Sequence, residues 1–316
     1  MNESKLSIEK SVSARWDEAN FGKTVSIVPK LSFPKNAKVF TIGSCFAIEI
    51  RKALKAKGFN VAPDYSDLNL GEDVVFGKYP EKDTLAYYTT ASIAQELSRS
   101  LNREYYGVED FLTIEKPVNY FAGRLKQDTV YQDPYRRDVY AATPERILSF
   151  SKEITDVFHR SLMESDVIVI TLGLTEAWTN KNNGLWVCKC PVNDHDPEWD
   201  TVAFKNLSYT QNKSYLEKAL DTLFSFNPEA HVFLTVSPVP LGKTFSGNDI
   251  TIANMTSKTT LRACAADIMQ QYSGRVTYWP SFEYAFGNDV YESDGRHVKP
   301  EVVKNIVDTF AEAYFK

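Results

Sequence analysis

The sequence predicts an α/β protein: a three-layer α/β/α arrangement around a doubly wound, flavodoxin-like, mainly parallel sheet of about five strands. Two observations carry this expectation. Short runs of β-branched and aromatic residues alternate along the chain with stretches of helical periodicity. The clearest run, Val167-Ile168-Val169-Ile170-Thr171-Leu172, is apolar at nearly every position, as a strand covered on both faces must be. Strands that alternate with helices imply parallel βαβ units with right-handed crossovers.

The elements follow in order. Lys38-Val39-Phe40-Thr41-Ile42 is a short strand ending at Gly43, and Cys45 to Lys57 has helical spacing, with Phe46, Ile50, Ala53 and Leu54 on one face. Lys52, Lys55 and Lys57 complement the dipole at its end, and Gly58 can stop it. A second strand follows at Phe59-Asn60-Val61. Thr143 as N-cap and Pro144 at the first helical position open a helix carrying Ile147, Phe150, Ile154 and Phe158 on one side. After the 167–172 strand come a helix over 214–226, a break at Asn227-Pro228 and a strand over 231–236. A helix near 258–271 leads to a strand over 275–279, and Pro300 opens a last helix with Val303, Ile306, Val307 and Phe310 inward.

The domain organisation expected is an N-terminal arm over 1–37 and one domain over 38–316. Residues 62–142 break the alternation. These 81 residues hold ten of the seventeen tyrosines and are too long for a plain loop. They are expected to form a lid or subdomain inserted after the second strand and packed over the mouth of the site.

Composition excludes several classes. With 43% hydrophobic and 24% charged residues the chain is globular rather than disordered or fibrous. No apolar run reaches the roughly 18–20 residues of a membrane helix, and the polar start MNESKLSIEKSV shows no apolar signal segment. A net charge of −5 and a pI near 5.6 speak against nucleic-acid binding by bulk charge. The four cysteines do not make a disulfide scaffold, so free thiols in a cytoplasmic setting are expected.

Sites in such sheets lie at the carboxyl ends of strands. The first exit reads Gly43-Ser44-Cys45, where a nucleophile would sit beside free backbone N–H groups at a helix start. A turn of small residues with a buried cysteine explains the same letters. The next exit reads Gly173-Leu174-Thr175-Glu176: Thr175 can donate a hydroxyl to an oxyanion and Glu176 can orient a neighbour or a substrate, or the segment is a capped turn. Asp294-Gly295-Arg296-His297 places an acid and an imidazole three apart on a turn, where the carboxylate can steer the ring. His159 and His231 read as structural. His195 near Cys188 and Cys190 offers a metal alternative, but the pair is too close and a fourth ligand is missing, so no metal is expected.

Taken together, the motifs resemble the GSCFA family, a branch of the SGNH/GDSL-like hydrolase superfamily. The resemblance rests on Gly43-Ser44-Cys45-Phe46-Ala47, the 88–95 segment YTTASIAQ and Asp133-Pro134-Tyr135-Arg136. It continues through Thr171 to Trp178, Thr235 to Leu241, Ala253-Asn254, Ser257-Lys258, Leu261-Arg262, Tyr291-Glu292 and Asp294 to Val298. It implies acyl-ester chemistry. The superfamily's first block is Gly-Asp-Ser, so an ungapped match puts Cys45 on the nucleophile, whereas residue identity favours Ser44. The third block, normally Gly-x-Asn, reads Gly173-Leu174-Thr175 here. Asp294 and His297 match the last block unchanged, and Gly71 and Gly77 are candidates for the second-block glycine.

The resulting expectation is an acyl-enzyme on Cys45 or Ser44, with His297 as base and Asp294 as its partner. Gly43, Gly173, Thr175, Glu176 and Ser237 would surround the oxyanion or substrate. The Cys45 thiol, at a helix N-terminus, is expected to ionise more easily than a free cysteine. No cofactor is expected to be bound permanently. A small acyl donor such as acetyl-CoA and a hydroxyl or glycan acceptor are the expected partners, and a non-catalytic glycan- or protein-binding member of the same fold is the alternative.

Overall fold

The structure, a computed structural model, describes residues 25, 29, 31–80, 85–117, 120–188, 200–285 and 289–316. Cys190 and His195 lie outside the described residues, as does most of the 1–37 arm. Strand β1 (Lys38–Gly43) runs through Ser44 into helix α1 (Cys45–Ala56), and β2 (Asn60–Ala62) returns beside β1. Then follow β3 (Val74–Phe76), α2 (Thr90–Asn102), β4 (Leu112–Glu115), β5 (Thr129–Gln132) and β6 (Val139–Ala141). Helix α3 (Pro144–Met163) leads into β7 (Val167–Leu172), and β8 (Glu176–Asn180), β9 (Trp186–Val187) and β10 (Val202–Asn206) come next. The chain closes with α4 (Tyr209–Phe226), β11 (His231–Val236), α5 (Ile250–Gln271), β12 (Val276–Tyr278), α6 (Ser281–Ala285) and α7 (Pro300–Tyr314).

The main sheet has the order β12-β11-β7-β1-β2, and every neighbouring pair is parallel. Alternation along the strands sorts the core into two layers, because successive side chains leave opposite faces. Phe40, Ile42, Ile168, Ile170, Val232 and Leu234 meet Phe150 and Ile154 of α3, Leu220 of α4 and Leu261 of α5. Val39, Val167, Val169 and Phe233 face the other way, onto Phe46, Ile50 and Leu54 of α1 and Ile306 and Phe310 of α7. The strand order reverses at β1, which has β2 on one side and β7 on the other, so the crevice beyond Gly43 and Leu172 is open to a ligand.

Several boundaries differ from the sequence expectation, for local reasons. Helix α4 begins at Tyr209 because Ser208 and Gln211 form a capping box. Helix α5 begins at Ile250, capped by Asp249, well before Lys258. Its first turns leave Ile250, Ile252 and Met255 exposed, which hides the helical period. The sequence also gave no sign of the antiparallel sheet β10-β8-β9. Segment 62–142 builds a four-stranded antiparallel sheet, β3-β6-β5-β4, with a small core of its own around Val75, Ile114 and Val130. Phe76, Tyr87, Leu97 and Val139 of the same segment join the main core. Tyr65, Tyr87, Tyr135 and Tyr140 are buried, so packing accounts for much of its tyrosine content. Among the described residues no helix is long and apolar enough to cross a membrane.

His159 and His231 do pack structurally. The His159 Nδ1 lies 3.1 Å from the Ser100 carbonyl, and His231 Nε2 lies 2.9 Å from Thr277 Oγ1. Burial, assisted by the charge of Arg275, pulls the His231 pKa down to about 4. An unfolded histidine titrates near ~6.5, so between those values the unfolded chain binds a proton that the folded chain refuses. Stability therefore falls as pH drops through that window. The fall in urea midpoint from about pH 7 to about pH 4.5 is expected to be smaller in His231→Gln than in the wild type. An equal fall in both proteins would remove His231 from acid sensitivity.

Candidate active site

Gly43 ends β1 with φ 132° and presses against β7: a Cβ there would lie 2.1 Å from the Thr171 carbonyl oxygen. Only glycine fits so close an approach at that φ. Ser44 N–H then donates to Thr171 O at 3.1 Å. The Ser44 side chain is buried and caps α1, its Oγ accepting from Phe46 N–H at 3.3 Å and bonding Thr171 Oγ1 at 3.1 Å. Cys45 is the first residue of the helix and is only half-buried, whereas Cys188 and Cys264 are buried.

Cys45 lies where two cavities meet. One is a groove of about 790 Å³ that it lines together with His297. Its walls are α1 and α7, and Lys78, Phe121, Arg137 and Asp138 from segment 62–142. The other is a small cavity of about 30 Å³, bounded by Ser44, Cys45, Tyr88, Gly173, Ser237, Leu241 and Arg296. His297 and Asp294 are both exposed, on a turn just before α7. Asp294 Oδ1 accepts from the N–H groups of Arg296 and His297, each at 2.9 Å, and Oδ2 binds His297 Nδ1. Those hydrogen bonds, the one from the His297 side chain first, hold the Asp294 carboxyl down to about 2. An ionised carboxylate only accepts, so the ring nitrogen facing it, Nδ1, carries a proton, and Nε2 is the nitrogen left to face the groove chemistry.

Three cations surround the thiol: Arg296, Arg137 and Lys258 each favour its ionised form, and Glu49 opposes them. Burial outweighs the cations and pushes the Cys45 pKa up, opposite to the expectation drawn from its place at a helix N-terminus. Arg137 is fixed by a 2.7 Å hydrogen bond to Tyr88 Oη and a 3.1 Å ion pair with Asp138. Arg296 packs against Gly242 and donates through Nε to Pro240 O at 3.3 Å. These cations were missed, although Arg296 and Lys258 stand inside motifs that carry the resemblance.

The second strand exit behaves differently from its sequence reading. Gly173 reaches the small cavity, where a Cβ would meet Tyr88 O at 2.7 Å and Ser44 Cβ at 3.1 Å. Thr175 lines neither cavity. Its Oγ1 donates to Asn206 Oδ1 at 2.8 Å and bonds Ser257 Oγ at 2.9 Å, so that hydroxyl is committed to holding the connection between β7 and β8 to β10 and α5. Glu176 likewise turns to the 244–246 loop, accepting from Thr244 Oγ1 at 2.5 Å and Phe245 N–H at 2.9 Å. Ser237 lines the small cavity, its N–H donating to Leu172 O at 2.8 Å. Gly71 and Gly77 line neither cavity, and the Gly77 N–H is taken by Asp138 O at 2.8 Å. The backbone that lies against the Gly43 turn instead is Tyr87-Tyr88, with Tyr87 N–H on Gly43 O at 2.6 Å and Leu174 N–H on Tyr88 O at 2.8 Å.

Among solved structures, an acetyl esterase variant with acetate ion is similar at 12% identity, over 87% of this chain and 95% of that one, with a TM-score of 0.38. A carbohydrate esterase family 3 protein from Talaromyces cellulolyticus matches at 12% identity over 87% and 95%, with a TM-score of 0.36. A carbohydrate esterase family 2 enzyme plus carbohydrate binding domain, from Corynascus thermopiles (Myceliophthora fergusii), matches at 17% identity with a TM-score of 0.29. That match covers 47% of this chain and only 36% of the other. Likeness at this level assigns no chemistry. No curated protein matches the chain. The model of the GSCFA family, by contrast, matches residues 38–310. That span runs from the first strand into the last helix and takes in Gly43 to Ala47, Gly173, Ser237, Lys258 and Asp294 to His297, so the chain belongs to the GSCFA family.

Proposed function

We propose that the protein performs acyl-ester chemistry through a covalent intermediate on Cys45, passing a short acyl group to a hydroxyl acceptor such as a glycan, or to water. The observation that carries this reading is the shared groove: a half-buried thiol at a helix start and a histidine oriented by an ionised carboxylate line one cavity. The Ser44 hydroxyl is engaged as a helix cap, which favours Cys45 as the attacking group. The parallel sheet, with its order reversing beside the site, supports a doubly wound SGNH-like frame.

Because burial keeps the thiol protonated, attack and deprotonation go together. Sγ bonds to the acyl carbonyl carbon as His297 Nε2 takes the thiol proton, and Asp294 holds the imidazolium through Nδ1–H. The carbonyl oxygen gathers the negative charge beside the N–H groups of Cys45 and Gly173, which take the part first given to Thr175. Collapse expels the alkoxide or thiolate of the donor, and His297 returns the proton to it. An acceptor hydroxyl, or water, then attacks the thioester with His297 again as base. The new ester or acid leaves, and the thiol recovers its proton.

The cavity of about 30 Å³ beside Cys45 suits a short acyl group, and the groove of about 790 Å³ suits a larger donor or acceptor. Acetyl-CoA is a donor of that kind. The wall made by Lys78, Phe121, Arg137 and Asp138 would serve as the lid that limits water. The test is intact-mass spectrometry after incubation with p-nitrophenyl acetate or acetyl-CoA, followed by peptide mapping. An acetyl adduct on Cys45 is expected. An adduct on Ser44 would move the nucleophile, and no adduct with either donor would leave the binding-module alternative.

A further inference from the structure

The groove beside Cys45 is longer than the transfer of a short acyl group requires. Cys45 and His297 stand at one end of it, at the start of α1 and just before α7. From there it follows both helices as far as Lys57, just past α1, and Asp308 of α7. Those two residues meet in an ion pair of 2.6 Å, so the helices run side by side in the same direction. The 12 residues of α1, at ~1.5 Å each, put about 18 Å between the two ends. Charge is sorted along that length. Near the thiol, and on the wall from segment 62–142, Glu49, Asp138 and Glu292 offset Lys78 and Arg137. Towards the far end, Lys57 and Lys304 share the single carboxylate of Asp308, at 2.6 and 2.5 Å. Lys52 lines the same stretch and has no ion-pair partner among the described residues. Three ammoniums thus stand against one carboxylate there, in a chain whose net charge is −5. Between the two ends, Ala53, Ala56 and Val303 give the groove small apolar walls.

We propose that this far end is a phosphate site: the acyl donor is a thioester of coenzyme A, its pantetheine arm lying along the apolar stretch and its diphosphate held by Lys52, Lys57 and Lys304. The proposal deepens the reading of Cys45 as nucleophile and rests on it. A pantetheine arm is an uncharged chain with a thioester at one end and a phosphate at the other, and extended it matches the length of this groove. Lysine ammoniums bind phosphate as point charges. An excess of two positive charges answers the two negative charges of a diphosphate. The single charge of the phosphodiester on an acyl carrier protein would leave the site half neutralised. A thioester donor also suits a thiol nucleophile. Cys45 Sγ bonds to the acyl carbon, the donor's C–S bond breaks, and the donor thiol leaves with the proton that His297 took from Cys45. One thioester replaces another, so the step is close to thermoneutral.

Calorimetric titration under reducing conditions with coenzyme A, and with pantetheine, which lacks the phosphates, tests the site without turnover. Wild type and Cys45→Ala are both expected to bind coenzyme A at least ~10-fold tighter than pantetheine. In Lys52→Gln/Lys304→Gln that preference is expected to fall towards unity. Both side chains are exposed and the Lys57–Asp308 pair stays in place, so the fold is kept. Equal affinity for the two ligands in the wild type, or an undiminished preference in the double variant, would overturn the phosphate site. Transfer from an acetylated carrier protein in preference to acetyl-CoA would overturn the choice of a nucleotide. The two readings fail separately. Coenzyme A bound through the lysines, with no acyl adduct on Cys45, would keep the phosphate site and remove the nucleophile, and the donor role with it. An adduct from p-nitrophenyl acetate, with no preference for coenzyme A over pantetheine, would keep the nucleophile and sink this proposal alone.

Discussion

Cys45→Ala is expected to lower acyl turnover by at least ~10³-fold, and His297→Ala by at least ~10²-fold. The two losses differ in kind. Without Sγ no acyl-enzyme forms, and only binding and the backbone N–H groups remain to speed the reaction. Without His297 the thiol, which burial holds in its protonated form, has no acceptor for its proton. The double variant is expected to be little worse than Cys45→Ala, since groups that act as a unit are not additive. Ser44→Ala separates the two candidate nucleophiles. Loss of the cap costs about 1 kcal/mol of stability, but turnover should survive, because Ser44 Oγ is bound to Phe46 N–H and Thr171 Oγ1. Turnover lost in Ser44→Ala and kept in Cys45→Ala, in proteins of equal secondary structure, would exchange their roles. Full activity in His297→Ala would leave the groove without its base and defeat the mechanism.

The parts of this site that were legible in the sequence are those with local causes. Gly43, Ser44 and Cys45 announce a strand, a tight turn and a helix start, and Asp294 and His297 are close enough in the chain for one turn to join them. The core faces were equally local: Phe46, Ile50 and Leu54 of α1, and Ile147, Phe150, Ile154 and Phe158 of α3, repeat at helical spacing and pack as that spacing demands. What escaped was settled by partners far away in the chain. The Thr175 hydroxyl is claimed by Asn206 and Ser257, 31 and 82 positions on. Glu176 is claimed by Thr244 and Phe245 across a similar distance, and a carboxylate beside a strand exit gives no hint of that. Lys258 was hidden for the opposite reason. A lysine in a helix reads as a solvated charge, and only the approach of Gly173 and Val239 shows it to be inside.

Arg136→Met is expected to destabilise the protein by ~3–5 kcal/mol, as breaking one side of a buried ion pair does. That is a large share of the ~5–15 kcal/mol typical of a folded domain. Arg136 is wholly buried, reaching Glu96 Oε1 at 2.6 Å and Oε2 at 3.2 Å, Ser151 O at 2.5 Å and Thr155 Oγ1 at 2.9 Å. Burial alone would push the Glu96 carboxyl up, yet Arg136 and Arg99 hold it below its ordinary value. With Arg136 gone, Glu96 stays buried with Ser100 Oγ at 2.8 Å and no adjacent guanidinium fork. Adding Glu96→Met is expected to recover part of the loss, because Asp133 keeps Arg99 at 3.4 Å and Ser151 Oγ at 2.7 Å. The coupling can be read from urea midpoints of the two single variants and the double variant. The effect also reaches the groove, since Arg137, which faces Cys45, follows Arg136 directly in the same turn. Alkylation of Cys45 should therefore slow in Arg136→Met under conditions where the chain is still folded. A stability within ~1 kcal/mol of the wild type would mean that water or Asp133 can satisfy Glu96, and the cluster would lose its claim to hold that turn in place.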